Sequence, residues 1–223
     1  MPIGIQICSG SEWRAIKPRL GIEDPAVRAY PYGETFDFAV AGQPCVFFWC
    51  RRTKTRAAGA CQYAIDHWRI DPLLVLGTCA GVAEHLQVMD VVYASHTLQY
   101  DCEDPRPDMG RVVVADQSWL RLDELRSLVH VGPIASADHD LTYEHLECLR
   151  KEHVLGGDWE SGAIAYVAAL NGVRWAIFRG ISDIPLAPGA DDVGRQLVDY
   201  RTNTPAVMAK LLELLPTIVR GVR

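Results

Sequence analysis

Five places in the chain carry residues able to move protons or hold a polar molecule. Glu12 follows a Ser9-Gly10-Ser11 turn. Asp158-Trp159-Glu160 stands ahead of an Ala-rich stretch, and Ser182-Asp183 closes an apolar run just before Pro185. Gly77-Thr78-Cys79-Ala80-Gly81 is a run of small residues, and Ser136-Ala137-Asp138 ends a further apolar segment. The acids come without the His and Cys spacing of a metal site. Carboxylates arranged so suit acid–base work: one gives a proton to a leaving group while another takes one from water or steadies a cation. Taken singly, each also has a plain structural use. Asp183 reads as a turn-former, and Glu160 and Glu12 read as first-turn acids that favour a helix dipole.

The elements around these residues follow from periodicity. Strands are expected at Ile3–Cys8, Phe36–Val40, Cys45–Trp49, Pro72–Leu76, Val88–Ser95, Arg111–Ala115, Leu128–Ala135 and Val173–Ile181. Helices are expected at Glu12–Leu20 with Ser11 as N-cap, Thr53–Arg69, Gln117–Leu128, Leu141–Glu152 and Ser161–Asn171. A last amphipathic helix runs from about Gln196, with an interruption expected at Pro205. Gly77–Gly81 is read as a tight turn after its strand, and Pro133 as the mark of a strand end or edge. Strands alternating with helices predict a three-layer α/β/α sandwich around a central mixed, largely parallel sheet, as one domain over residues 1–223. In such sheets ligands bind beyond the carboxyl ends of the strands, where the polar residues above cluster.

Composition narrows the class. The 223 residues are 49% apolar and 22% charged, the make-up of an ordinary globular chain. A net charge of −6 argues against a nucleic-acid binder, and the short basic cluster Arg51, Arg52, Lys54 and Arg56 does not reverse that. No apolar stretch approaches the ~20 residues of a membrane span, and no basic-then-apolar leader opens the chain. The seven cysteines are read as reduced and mostly buried in a cytoplasmic protein. A nicotinamide-dependent oxidoreductase needs G-x-G-x-x-G after the first strand, and Gly4 and Gly10 do not supply that spacing.

Together the motifs resemble a family. Residues 157–184, G-D-W-E-S-G-A-I-A-Y-V-A-A-L-N-G-V-R-W-A-I-F-R-G-I-S-D-I, are similar to the E-M-E-x-x-A-I-A-x-V … R-x-I-S-D signature of the purine nucleoside phosphorylase and nucleosidase superfamily. Gly77–Gly81 with Val88-Met89-Asp90-Val91-Val92 resembles its G-[ST]-x-G-G/A … V-G-D-V-V segment, and Gly132–Asp138 its G-x-I-x-S-G-D. The N-terminal Ile3-Gly4-Ile5 … Ser9-Gly10-Ser11-Glu12 segment resembles the methylthioadenosine/S-adenosylhomocysteine nucleosidase branch. The resemblance implies cleavage of an N-ribosidic bond. Asp183 matches the acid that protonates purine N7, which requires a carboxyl group kept protonated by burial, and Ser182 would orient it. Glu160 matches the carboxylate that binds the ribose hydroxyls, Glu12 the base that activates water, and Arg179 an arginine near the site whose other reading is a structural ion pair. Asp158, Trp159, Thr78, Cys79 and Ala80 fall in the matching substrate-binding segments.

Hydrolysis is favoured over phosphorolysis. Val75 and Leu76 hold the place of a phosphorylase arginine, and Glu12 sits where it would repel phosphate. The Arg51–Arg56 cluster is an alternative anion site or a solvated helix start. Some positions depart from the pattern: Asp158 and Trp159 replace Glu and Met, Ala80 replaces a glycine, and Asp140 stands where an aromatic stacks on the purine, with His139 or Tyr143 as substitutes. Phosphate-dependent cleavage and a nucleoside-binding module without catalysis stay open as alternatives. No cofactor or metal is expected. Family likeness further implies a homodimer or larger homo-oligomer, with the Gln99–Gly110 loop completing a neighbour's pocket.

Overall fold

The computed structural model describes residues 1–103, 106, 110–121, 123–185 and 192–223. Among the described residues ten strands and five α-helices follow in order: β1 (Ile3–Ile7), α1 (Gly10–Arg19), β2 (Arg28–Tyr30), β3 (Gly33–Val40), β4 (Gln43–Trp49), α2 (Lys54–Trp68), β5 (Leu73–Gly81), β6 (Val91–Gln99), β7 (Val112–Val114), β8 (His130–Ser136), α3 (Tyr143–Lys151), β9 (Gly156–Asp158), α4 (Ser161–Leu170), β10 (Trp175–Asp183) and α5 (Asp192–Gly221). The strands form one mixed sheet in the order β10-β6-β8-β9-β5-β1-β4-β3-β2, with β7 on the edge of β6. A further β10–β5 pairing closes part of the sheet into a ring. Its parallel blocks are β4-β1-β5-β10 and β6-β8-β9, joined by antiparallel contacts.

The central strands are apolar on both faces because helices cover both. Leu74 and Leu76 of β5 and Phe178 of β10 pack with Trp13 and Ile16 of α1 and with Met208 and Leu211 of α5. The alternate residues Leu73, Val75 and Ile177 pack with Ala57, Ala60 and Ala64 of α2 and Ile164 and Ala168 of α4. That alternation has the two-residue period of a strand between two layers. The outcome is the expected three-layer arrangement.

Several local expectations are corrected. Gly77–Gly81 is not a turn: it completes β5, buried throughout and paired with β10. Its small residues answer close approach of neighbours rather than chain reversal. The 117–128 segment holds turns and an isolated Leu120–Val222 bridge instead of a helix among the described residues. Its apolar positions Trp119, Leu120 and Leu125 are buried in the same core cluster as Leu215 and Ile218 of α5, and this packing overrides local periodicity. Pro133 lies inside β8, between two paired strands, at the register shift where a ladder amide is dispensable. Pro205 leaves α5 continuous and sits on its exposed side.

Candidate active site

The carboxyl ends of β1, β5 and β10, the β9–α4 junction and the first turns of α5 surround a cleft of about 360 Å3. Glu12, Thr78, Cys79, Ala80, Asp158, Trp159, Glu160, Ser182 and Asp183 all line it. Arg179 lies beneath, 1% exposed.

Glu12 is placed by a helix cap. Ser9, not Ser11, is the N-cap of α1, and the Ser9 amide donates to Glu12 Oε2 at 2.9 Å. The Ser9-x-x-Glu12 capping box was the available signal, because a Ser three residues before a Glu satisfies both ends of that exchange. Glu12 Oε1 accepts from the Thr78 amide and hydroxyl, each at 2.7 Å. A carboxylate has about four acceptor positions. Three are filled by the described residues, so one acceptor position is left on Oε2. Thr78 thereby orients Glu12, its hydroxyl committed to the carboxylate.

Asp158 ends β9 and caps α4. Its Oδ1 accepts from Ser136 Oγ at 2.7 Å and from the amides of Glu160 and Ser161, both at 3.1 Å. Its Oδ2 accepts from Ser161 Oγ and pairs with Arg179 Nε at 2.7 Å. Those partners occupy the carboxylate fully, so Asp158 holds the junction and Arg179 in place.

Glu160 is the contrast. Among the described residues only the Thr53 amide donates to it, at 3.3 Å, and Arg179 Nη2 stands 3.8 Å away. That Nη2 has no hydrogen-bond partner although it is buried. Burial, with Asp158 and Glu12 nearby, pushes the Glu160 carboxyl up to about 8 against the pull of Arg179. Glu160 therefore presents unused acceptor capacity toward the cleft. Thr53 reaches it with φ 102, a conformation a β-branched residue adopts only when its surroundings impose it.

Asp183 follows a bulge in β10, where the register to β5 shifts between Ile181 and Asp183 and re-aims the side chain. It is 7% exposed, and its Oδ1 accepts from Ser182 Oγ at 2.6 Å. Ser182 is held in turn by the Cys79 carbonyl at 3.3 Å, and its own carbonyl accepts from Asn203 Nδ2 at 2.7 Å. Cys79 turns its thiol toward Gly156, where an added Cβ would lie 2.7 Å from Sγ. Register runs from Asp183 to Ala80 to Gly157, and Gly157 abuts Leu141. This makes one pole of the cleft, walled also by His139 and Asp140. His139 packs on Tyr100 and His145, whereas Tyr143 is 40% exposed and off the cleft wall.

A second group of lining residues holds Ser9, Tyr200, Gln196, Trp159 and Arg52. Tyr200 shares a short hydroxyl–hydroxyl contact with Ser9. The Arg52 guanidinium lies over the Trp159 ring, 5.8 Å from its centroid. Arg179, by contrast, serves as the structural ion pair envisaged as its second reading, under Asp158 and Glu160. Sequence motifs did not point to Leu141, Gln196, Leu197 or Tyr200. The α5 residues arrive from far along the chain, and the only local sign was the amphipathic helix itself.

The family model of the phosphorylase superfamily matches residues 25–219. The chain belongs to the phosphorylase superfamily. Within that superfamily, it is 27% identical over 150 residues to a 5'-methylthioadenosine/S-adenosylhomocysteine nucleosidase of Geobacillus kaustophilus, covering 59% of this chain and 63% of that relative, less than two thirds of its length. Its fold is shared with the 5'-methylthioadenosine/S-adenosylhomocysteine nucleosidase of Neisseria meningitidis, solved in complex with methylthio-immucillin-A, at TM-score 0.83 and 18% identity over 99% of both chains. Similar in the same degree is the futalosine hydrolase of Helicobacter pylori, at TM-score 0.82 and 17% identity over 100% of this chain and 98% of that one.

Proposed function

We propose that this phosphorylase-superfamily chain is an N-ribosyl hydrolase that cleaves a purine nucleoside of the methylthioadenosine or S-adenosylhomocysteine kind, with residues 1–223 acting as one domain. The observation that carries the reading is the unequal use of the carboxylates in one cleft. Asp158 is saturated, Glu12 retains one acceptor position, and Glu160 retains most of its capacity.

The chemistry follows from that division. A purine leaves poorly as an anion, so Asp183 gives a proton to N7 while Ser182 holds the other carboxyl oxygen. The purine occupies the pole of Ala80, Gly157 and Leu141. As the bond breaks, the ribose gains oxocarbenium character. Glu160 accepts from the ribose hydroxyls, and its charge stabilises the cation in a low-dielectric cleft. Glu12 takes a proton from water as it attacks C1'. The products are the free base and the free sugar.

A phosphate nucleophile would have to sit against Glu12, whose charge opposes it. This favours water. The cycle uses carboxylates and water alone, without a metal or organic cofactor. The same reading includes a cytoplasmic homodimer or larger homo-oligomer, consistent with seven free cysteines. Among the described residues no helix is long and apolar enough to cross a membrane.

Asp183→Asn tests the assignment. Asn keeps the shape but cannot deliver a proton, and general acid catalysis is worth about 10²–10⁴-fold. Turnover of 5'-methylthioadenosine should fall by about that factor with modest change in KM. Near-full turnover in this variant would remove Asp183 from the mechanism.

A further inference from the structure

The cleft has two chemically different poles. One, around Asp183, Ala80 and Leu141, is compact and takes the base in the reading above, on which this inference rests. The other collects donors. Arg52 stacks on Trp159 at 5.8 Å and has no carboxylate partner among the described residues. Its charge also reaches Tyr200, where it opposes the upward push that burial and Glu12 exert on the phenol. Gln196 shares a helix face with Tyr200 at i,i+4, lines the same cleft, and its Nε2 is buried with no hydrogen-bond partner among the described residues. A guanidinium without a counter-ion and an amide N–H without an acceptor therefore border one space, beside the Ser9 and Tyr200 hydroxyls.

We propose that this pole is an anion subsite, and that the preferred nucleoside carries a carboxylate or similar anion at the end of its 5' substituent, read by Arg52 and Gln196. With the base at Asp183 and the ribose hydroxyls at Glu160, the 5' carbon points away from the base pole toward Trp159 and Tyr200. A guanidinium gives an oxyanion two parallel N–H bonds, and the indole beneath it restricts its orientation. The acids at the reacting centre do not cancel this preference. Asp158 is neutralised by Arg179 at 2.7 Å, and Glu12 and Glu160 face the ribose rather than its tail. Arg52 makes the discrimination, not the chemistry. The same cation could instead meet free inorganic phosphate, so the test separates an attached anion from a free one.

The experiment compares two 5'-thioadenosines that differ only at the tip of a short alkyl tail, one a carboxylate and one the isosteric carboxamide. In the unaltered protein the carboxylate should be favoured in kcat/KM by about tenfold, a charge-assisted bond discounted for the solvent exposure of Arg52. In Arg52→Gln the ratio should fall to about one, and Arg52→Lys should restore part of it. A ratio near one in the unaltered protein, or a ratio that Arg52→Gln leaves in place, overturns the proposal. So does stimulation of carboxamide cleavage by inorganic phosphate with release of a sugar phosphate, which would assign Arg52 to the nucleophile. Calorimetric titration of the Asp183→Asn protein with both compounds gives the same ratio as Kd values. If neither compound is cleaved, the hydrolase reading fails, and the Kd ratio still decides the anion subsite.

Discussion

At the residue scale the carboxylates are distinguished by how many hydrogen bonds the protein already gives them. Among Glu12, Asp158 and Glu160, Glu160 has the fewest from the described residues, and burial pushes its carboxyl up to about 8. In the proposed reaction its ionised form is the one that stabilises a ribosyl cation. We therefore expect kcat/KM to rise with pH and level off above an apparent pKa near 8. Glu160→Gln should lower the rate and erase this limb, which a pH–rate profile of both proteins checks. The stability sign is fixed by the same shift. The folded state binds the Glu160 proton more tightly than the unfolded chain, so the group costs stability as pH climbs from about 4.5 to about 8. Thermal unfolding of Glu160→Gln against the unaltered protein should show the variant gaining relative stability across that window and no further below it. Glu12→Gln belongs here too. It removes the base for water while the cap geometry persists, so turnover should fall and binding of free adenine should hold.

At the element scale, junctions rather than element interiors place the chemistry. Gly77 is the clearest case. It pairs with Arg179 across β5 and β10, and an added Cβ would collide with Arg179 Nη1 and stand 2.9 Å from Glu12 Oε1. Gly77→Ala should cost about 1–3 kcal/mol of stability as an overpacked site, and it should also lower turnover, because the buried guanidinium can yield only by leaving Asp158 or Glu160. Denaturant unfolding and initial rates on one preparation check both. The strands and helices themselves were legible wherever period and cover agreed, as in β1, β4, α2, α4 and β10. They were misread where small residues served packing. Gly77–Gly81 looked like a turn because the chain shows its own glycines but not the Arg179 that needs the space at Gly77, nor the Ile181 and Ile184 that crowd Gly81. The 117–128 segment looked helical because its apolar spacing is indifferent to whether α5 or a helix of its own buries it. In the site, the motif acids could be read in sequence. Tyr200 and Gln196 could not, since no local pattern links α5 to Ser9 across the chain.

At the scale of the whole molecule, one edge is unfinished. Val112 and Val114 of β7, a strand paired only with β6 among the described residues, are 46% and 73% exposed. The Gln99–Gly110 loop assigned to a neighbour's pocket lies beside β7 in the chain, and part of it falls outside the described residues. Apolar side chains gathered along one edge suit association. We expect sedimentation at micromolar concentration to give a homodimer or larger assembly; a monomer alone would remove the neighbour from the proposal. The reaction itself is also a property of the whole cleft, since water and phosphate compete for the same face of C1'. The most direct measurement is product analysis of 5'-methylthioadenosine cleavage in ¹⁸O-water, with and without inorganic phosphate. The account predicts free adenine and a free methylthio-sugar labelled at C1, at rates independent of phosphate. Release of an unlabelled sugar 1-phosphate, with no cleavage when phosphate is absent, would contradict it.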